Sequence, residues 1–471
     1  MSKLIEALAG ITGPAHVLTG ADAAPYTVDW EDTPQGDPIA VVRPANTAEV
    51  SAILRLANET HTPVVPISGN TSLAGGTAAD GAILLSMARM NAIRDIRPSA
   101  RTAVVEAGAI LSSIHDAVAE HGLVFPLFFG ARGSAMIGGA LSTNAGGSNV
   151  VRYGNTRDLC LGIEAVLPSG EVVDLMRQLH KDNSGYDLRH LLIGAEGTLG
   201  IITAAVLKLY PAPLAHATAM LAVESVDDAL GLLNRLQRET GGAVQAFEYM
   251  PRAYIDAHLE RFPDARAPFD ESHDINILLE IATTRPDEAA PGDDGQTPIA
   301  AHLEAALAAL FEDGKLIDAV VAQNEAQRAE MWARREAAAE VCRLHDPIII
   351  NDIAVPLDQM QTLLDRIEAI IAAHDPAARD ITVGHLGDGN LHFSCWPSTD
   401  DTAVHDAIHD EVEQATIDLG GSFSAEHGIG THKRDSMAKH KSPGALSAMW
   451  AIKTALDPNG ILNPGKVLPD A

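Results

Sequence analysis

Short apolar runs alternate with amphipathic stretches between residue 40 and about residue 211, and they predict a first layer of strands and helices. Compact Val/Ile/Leu runs indicate strands, and apolar residues spaced three or four apart indicate helices. The predicted strands are 40–42, 63–67, 82–85, 101–106 and 162–167, and the predicted helices are 47–59 and 111–121. A short helix over 2–9 and an irregular, proline-containing arm precede them.

The pattern changes after Pro211-Ala212-Pro213, where longer strands and helices predict a second sheet backed by helices. Its predicted strands are 217–223, 246–250, 275–281 and 348–355. Its predicted helices are 226–240, 299–311, 323–345, 357–374 and 403–418, and one more helix over 445–456 follows. The stretch 283–298 is rich in Pro, Gly, Asp and Glu, and we expect a solvated loop there.

A glycine turn within the second part carries candidate chemistry. The apolar stretches 381–383 and 391–393 flank Gly387-Asp388-Gly389-Asn390, which predicts a hairpin that brings His385 and His392 together. Two neutral imidazoles and one carboxylate are a common ligand set for a divalent metal. Glu426 could supply the carboxylate and His427 could accept a proton. Ordinary surface or core histidines are the alternative.

Composition narrows the class of protein. With 471 residues, of which 46% are hydrophobic, the chain can form two or three domains. No apolar run is long enough to span a membrane and the N-terminus lacks a secretory signal, so the cytoplasm is the expected location. The three cysteines form no Cys-x-x-Cys unit, which argues against iron–sulfur clusters. The formal charge of −30 disfavours nucleic acid and anionic membranes as partners, although it could steer a basic protein.

Three glycine-rich loops in the first part predict a large, flat cofactor. Loop 1 (66–77) follows a strand and offers backbone N–H and hydroxyl groups to an anion such as a pyrophosphate; an ordinary structural loop is the alternative. Loop 2 (130–148) repeats glycine at an entropic cost that close approach to a ligand would offset. Loop 3 (194–203) precedes a strand. Loop 1 is neither a Walker loop nor Gly-x-Gly-x-x-Gly.

Together with segments 181–188, 384–392, 426–430 and 461–466, these loops resemble the FAD-linked oxidase family with the vanillyl-alcohol oxidase fold. The resemblance is closest to the branch of D-2-hydroxyglutarate and D-lactate dehydrogenases, and it runs from about residue 38 to residue 468. It implies an α+β fold with an arm (1–37), a PCMH-type FAD-binding domain (38–212) and an α/β cap domain with an antiparallel sheet for the substrate (213–425). A C-terminal helical segment (426–471) would return to the FAD domain and close the active site.

The resemblance also implies which residues hold FAD. Loop 1 would cradle the pyrophosphate, loops 2 and 3 would line adenosine and isoalloxazine, and a residue near the C-terminus would return to the flavin. The residues carried over are Ser68, Gly69, Asn70, Thr71, Ser72, Gly133, Ser134, Ile137, Gly138, Asn144, Gly147, Ile201 and Asn463. Relatives that attach FAD covalently use a histidine in loop 1; this chain has none, so we expect noncovalent FAD.

By the same resemblance, His385, His392 and Glu426 would bind a divalent ion, zinc or manganese, that polarises the substrate hydroxyl. His427 would take the hydroxyl proton while the C2 hydride goes to flavin N5. Arg335 lies where the family places an arginine on the substrate carboxylate, although Arg334 could exchange roles with it. A solvated helix arginine, or a partner of an acid on its own helix, is the alternative for Arg335.

The substrate is less defined, because the chain departs from the resemblance where 2-hydroxyglutarate enzymes bind the distal carboxylate. Their threonine is Ala339 here, their lysine is Ile350 or Asn351, and their asparagine is Ser394. These changes allow a shorter 2-hydroxy acid such as D-lactate as well as D-2-hydroxyglutarate.

Reduced flavin needs an outlet, and we expect an external acceptor: an electron-transfer flavoprotein, a quinone or a cytochrome. A homodimer is possible for such enzymes. A non-redox flavin-dependent synthase of the same fold and a catalytically silent flavin-binding subunit of an oxidase complex are the alternative functions. The second alternative conflicts with an intact set of His385, His392, Glu426 and His427.

Overall fold

The computed structural model describes residues 2–29, 33–293 and 295–470. The chain forms two compact units. Unit 1 comprises Met1–Gly146, Gly154–Pro211 and Glu426–Ala471, and unit 2 comprises Gly147–Tyr153 and Ala212–Ala425. Helices and mostly antiparallel strands occur in both, in agreement with the predicted α+β class. None of the helices in the described ranges combines the length and the apolar character needed to cross a bilayer.

Unit 1 contains a four-stranded sheet in the order β1-β2-β4-β3, a five-stranded antiparallel sheet in the order β5-β6-β10-β8-β9, and a small β11-β7 ladder. The strands are β1 (Val17–Leu18), β2 (Ala40–Val42), β3 (Val64–Ile67), β4 (Ile83–Ser86), β5 (Ile93–Arg97), β6 (Thr102–Glu106), β7 (Leu123–Val124), β8 (Cys160–Val166), β9 (Val172–Leu175), β10 (Ile201–Lys208) and β11 (Tyr210–Pro211). The α-helices are α1 (Ser2–Thr12), α2 (Thr47–Glu59), α3 (Leu111–Ala119), α4 (Ile137–Thr143), α6 (Leu188–Leu192), α15 (Arg434–His440) and α16 (Pro443–Leu456).

Unit 2 is built on an eight-stranded sheet in the order β15-β12-β14-β13-β18-β19-β16, with β17 also paired to β19. Its strands are β12 (Ala215–Val223), β13 (Val244–Pro251), β14 (Ile275–Thr283), β15 (Leu316–Val321), β16 (Ile349–Ala354), β17 (Arg379–Asp380), β18 (Val383–His385) and β19 (Asn390–Trp396). Its helices are α5 (Val150–Tyr153), α7 (Val226–Thr240), α8 (Arg252–Arg261), α9 (Pro286–Ala289), α10 (Pro298–Glu312), α11 (Glu325–Glu336), α12 (Ala338–Cys342), α13 (Met360–His374) and α14 (Thr402–Asp418).

The two faces of the unit 2 sheet bury different side chains, because successive residues of a strand point to opposite sides. One face packs its apolar residues, such as Leu279 and Phe393, with α7, α10, α13 and α14 into one hydrophobic core. The other face packs Met220, Leu278 and Val383 with α8, α11 and α12 into a second core. We call this second side the site face, since it also carries both histidines of the predicted hairpin.

Several predicted elements need correction. The predicted helix 323–345 is two helices, α11 and α12, which meet at Ala337, where ψ is −1°. The predicted solvated loop 283–298 contains α9, which begins at Pro286. Loop 2 contains α4, and the pattern of apolar residues did not predict β5, β9, β15 or α8. The hairpin prediction is confirmed: β18 and β19 pair antiparallel, with Val383 opposite His392 and His385 opposite Asn390.

Candidate functional site

The hairpin of unit 2 brings the two predicted histidine ligands together. Register places His385 and His392 on the same face of the sheet, the site face, and their ring centroids are 5.2 Å apart with the rings nearly perpendicular. A side chain at Gly389, where φ is +86°, would overlap the carbonyl of Val355. The turn therefore depends on a glycine at this position.

A buried carboxylate stands behind each imidazole. His385 Nδ1 lies 2.9 Å from Glu248 Oε1, and His392 Nδ1 lies 3.5 Å from Asp352 Oδ1. Both acids are 1% exposed, so neither is a solvated surface charge. A carboxylate only accepts, so His385 carries its proton on Nδ1 and its basic nitrogen is Nε2. Carboxylate–imidazole pairs of this kind orient metal ligands in proteins, and the residues therefore fit a divalent metal.

Arg335 completes this cluster. Its Nε lies 2.9 Å from Glu248 Oε2, an oxygen that also lies 2.8 Å from His385 Nδ1. Burial raises the pKa of Glu248, but the nearby His385 and Arg335 outweigh that effect and lower it below its usual value. Arg335 Nη2 is buried without a hydrogen-bond acceptor among the described residues, so this donor suits an incoming carboxylate.

Arg334 points elsewhere, because its Nη2 donates to the carbonyl of Arg266 at 2.7 Å. The geometry therefore favours Arg335 over Arg334 as the arginine of the site. The alternative of a solvated helix arginine is wrong for Arg335, since the residue is 7% exposed.

Register also separates the two positions considered for the distal lysine. Ile350 lies opposite Ser394, two residues from Asp352, and so shares the site face. Asn351 points to the other face, where its side chain donates to the carbonyl of His409 on α14. Ser394 is buried with its hydroxyl 3.6 Å from Cys342 Sγ, and Ala339 lies exposed on α12. None of Ile350, Ser394 and Ala339 carries a charge.

In unit 1, loop 1 leaves strand β3 and offers backbone donors. Among the described residues, no backbone N–H of Gly69, Asn70, Thr71 or Ser72 donates to a protein acceptor. Asn70 adopts φ of +52°, and its side chain bonds Val28 and Thr77, so the turn is held in place. A Cβ at Gly69 would lie 3.0 Å from the Cα of Ala135 and overlap the carbonyl of Ser134. Free N–H groups in a fixed, tightly packed turn suit a pyrophosphate.

Loop 2 and loop 3 place the remaining predicted cofactor residues. Gly133 ends a 3₁₀ helix next to Ser134, and Ile137 and Gly138 form the first turn of α4. Asn144 ends α4 in the left-handed conformation and accepts the N–H of Arg157. These residues lie in unit 1, as does Ile201 at the start of β10, whereas Gly147 belongs to unit 2.

The C-terminal segment of unit 1 carries Glu426 and His427 into a turn held by Glu196. The carboxylate of Glu196 accepts the N–H groups of Ile429 and Gly430 at 2.7 and 2.8 Å. Burial raises its pKa, against the effect of these donors. Asn463, a predicted flavin neighbour, donates at 2.7 Å to the carbonyl of Glu196. The turn that follows the predicted base is therefore bonded to loop 3.

Sequence reasoning missed Glu248, Asp352 and Glu196. The first two are the charged residues of the mostly apolar strands β13 and β16, and a charge in such a run is a sign of a buried, paired group. That signal could have marked them as partners of histidines, although their pairing with His385 and His392 depends on strand register.

Comparison with known proteins identifies the family. Residues 212–467 match the model for FAD linked oxidases, C-terminal domain, and residues 38–176 match the model for an FAD binding domain. A D-2-hydroxyglutarate dehydrogenase of Xanthomonas citri pv. viticola is 37% identical over 95% of this chain and 93% of that protein. The mitochondrial D-2-hydroxyglutarate dehydrogenase of Bos taurus is 36% identical over 97% and 82%, respectively. A D-2-hydroxyglutarate–pyruvate transhydrogenase of Saccharomyces cerevisiae is 31% identical over 95% and 90%.

Solved structures agree on the fold. A p-cresol methylhydroxylase superposes with a TM-score of 0.78 at 17% identity, covering 100% of this chain and 97% of that chain. An alkyldihydroxyacetonephosphate synthase superposes with a TM-score of 0.74 at 18% identity, covering 99% and 86%. The predicted PCMH-type fold and the FAD cofactor are confirmed, and the chain belongs to the FAD-linked oxidase family.

Proposed function

We propose that the protein oxidises a D-2-hydroxy acid to the 2-oxo acid with FAD and a divalent metal. The observation that carries this proposal is the pair of imidazoles, each backed by a buried carboxylate, in a chain that belongs to the FAD-linked oxidases. The names of several relatives, D-2-hydroxyglutarate dehydrogenases at 34–37% identity, support the reaction class. Bound FAD supplies the acceptor for the C2 hydride.

His385, His392 and Glu426 are the proposed ligands of zinc or manganese, which would polarise the substrate hydroxyl. Glu248 and Asp352 lie at the Nδ1 atoms of the two rings, so Nε2 of His385 would be the atom that faces a metal. Glu426 follows directly after Ala425, the last residue of unit 2. The N–H of Ala425 donates at 3.1 Å to the carbonyl of Asp352.

The other roles follow from charge and geometry. Arg335 would bind the substrate carboxylate through its buried Nη2 while Glu248 holds its Nε. His427 would remove the hydroxyl proton as the hydride leaves C2, and Glu196 would fix the turn that follows this base. For loop 1, we propose that the N–H groups of Gly69 to Ser72 bind the FAD pyrophosphate.

Two substrates remain candidates. The relatives' names favour D-2-hydroxyglutarate, whereas uncharged Ala339, Ile350 and Ser394 favour D-lactate or a similar acid without a distal carboxylate. We further propose a cytoplasmic enzyme that passes electrons to an external acceptor, for which an electron-transfer flavoprotein, a quinone and a cytochrome are the candidates. A homodimer is a further proposal that sedimentation would test.

The decisive experiment mixes the oxidised holoenzyme, without oxygen, with D- and L-lactate and D- and L-2-hydroxyglutarate and follows flavin absorbance. Bleaching by D-acids alone is expected, and metal analysis of the same sample should find close to one divalent ion per chain. A flavin that stays oxidised with every acid would contradict the dehydrogenase and favour the non-redox synthase or the silent subunit. His427→Asn should slow bleaching and keep FAD; unchanged bleaching would remove His427 as the base.

A further inference from the structure

A second buried acid on the site face lies two strands from His385. Glu280 on β14 is 3% exposed and sits at the centre of a dense set of donors. Its carboxylate accepts from Thr218 Oγ1 at 2.7 Å, from Trp332 Nε1 at 2.8 Å, and from Arg328 Nε and Nη2 at 2.7 and 2.9 Å. His216 Nδ1 lies 3.3 Å from it. The carboxylate is thus fully engaged, and none of these donors belongs to the proposed metal or flavin site.

Two of the donors belong to α11, the helix that carries Arg335. Arg328, Trp332 and Arg335 are spaced by four and three residues, so they lie on one face of this helix. The first two bind Glu280 and the third binds Glu248. Glu280 pairs in register with Ala246, two residues before Glu248. The two acids therefore point to the same face from neighbouring strands, and each holds one arginine of α11.

This spacing fixes the rotation of α11 about its axis. With one ion pair alone, the helix could rotate about its axis on the apolar surface beneath it, because apolar contacts are not directional. The bidentate Arg328 pair and the indole bond add directional constraints at a second point. The direction of Arg335 depends on that orientation. Its Nε lies beside Glu248, and its Nη2 has no protein acceptor within the described ranges.

We propose that Glu280 is a positioning residue that holds α11 through Arg328 and Trp332 and so aims Arg335 at the substrate carboxylate. The last part of this proposal rests on the proposed function of Arg335. The anchoring of α11 does not, because it follows from contacts within unit 2. The readouts below keep these two parts apart.

The first test uses the holoenzyme and its best D-2-hydroxy acid. Glu280→Gln keeps the volume and removes the charge, so KM should rise at least fivefold with kcat changed less than twofold. Arg335→Met should also raise KM, and Glu280→Gln should add less than twofold to KM in that background, because both changes remove the same interaction. The matched control is Glu325→Gln on the same helix, which takes an exposed acid from Arg328 without touching Glu280. It should leave KM unchanged.

The second test needs no substrate. Hydrogen exchange of residues 325–336 should be at least fivefold faster in Glu280→Gln than in Glu325→Gln. Trp332→Phe removes only the indole bond and should give a smaller change of the same sign in both tests; it replaces Glu280→Gln if that variant does not fold. The proposal would be overturned if Glu280→Gln left the hydrogen exchange of residues 325–336 unchanged. It would also be overturned if the increases in KM caused by Glu280→Gln and Arg335→Met multiplied in the double variant. An unchanged KM in Arg335→Met would instead refute the proposed role of Arg335.

Discussion

Under the proposed function, loop 1 of unit 1 and the site face of unit 2 would recognise their ligands in opposite ways. Loop 1 presents backbone N–H groups from residues 69–72, and its geometry depends on tight packing against Ser134 and Ala135. The site face presents side chains whose direction is set by buried acids such as Glu248. A backbone site should therefore tolerate changed side chains and fail when atoms are added, whereas a side-chain site should keep its shape and fail when a charge is removed.

The largest effect is expected for Gly69→Ala. The added methyl would overlap Ser134 and approach Ala135, and relief would require loop 1 to move. We expect FAD occupancy to fall at least tenfold, measured as flavin absorbance per protein after desalting. Gly130→Ala is the matched control, because a Cβ there meets no heavy atom within 4 Å. Equal flavin retention in the two variants would show that FAD binding does not depend on the tight backbone packing of loop 1.

Removal of a histidine from the site face should be nearly as severe but should spare the flavin. We expect His392→Asn to lose the bound metal and to slow flavin reduction on the order of a hundredfold or more, because a metal supplies several kcal/mol of charge stabilisation. FAD absorbance should stay constant. His374→Asn is the control, since His374 on α13 also pairs with an acid, Glu411 on α14, at 2.9 Å. Full metal content in His392→Asn would refute the ligand set.

A medium effect concerns acid stability. Burial raises the pKa of Glu280, but hydrogen bonds from His216 and Arg328 lower it overall, from 4.5 to about 2. A depressed folded-state pKa stabilises the fold above the unfolded value and loses that contribution as pH falls from 4.5 towards 2. The advantage of the wild type over Glu280→Gln in free energy of unfolding should be on the order of 3 kcal/mol at pH 6. Urea titrations should find it smaller at pH 3.5; an equal advantage at both values would contradict this assignment.

The smallest effect is a change of preference. Ile350→Lys adds a cation on the site face beside Ser394, and an exposed charge pair contributes about 1 kcal/mol. The ratio of kcat/KM for D-2-hydroxyglutarate over D-lactate should rise roughly fivefold. Ile317→Lys, at a similarly exposed position on the edge strand β15, should not change the ratio. The same rise in both variants would point to a general charge effect.

Periodicity predicted most strands of the two units, and turn residues predicted the hairpin, because alternation and turn chemistry are local properties. It failed at Ala337, where α11 ends without a glycine or proline to mark the break. It also failed at α4, since glycines lower helix propensity and only packing in the folded chain overrides that preference.

The candidate site was predictable in part. His385 and His392 are close in sequence, and a turn brings them together. Their acids are distant: Glu248 lies 137 residues before His385, and only sheet order makes them neighbours. The choice between Ile350 and Asn351 was likewise open until register assigned each to a face.

Substrate preference and fold stability often depend on the same residues in enzymes. The alternation along β16 is expected to assign them to two neighbouring positions. Ile350 is 49% exposed on the face that holds the histidines, whereas its neighbour Asn351 is 2% exposed and bonded to α14. If Ile350 lines the proposed substrate site, a mutant library confined to position 350 should sample new substrate preferences with little loss of folded protein. In the same library at position 351, most variants would be lost because they do not fold stably. For directed evolution, this strand offers a mutable position directly beside one that should stay fixed.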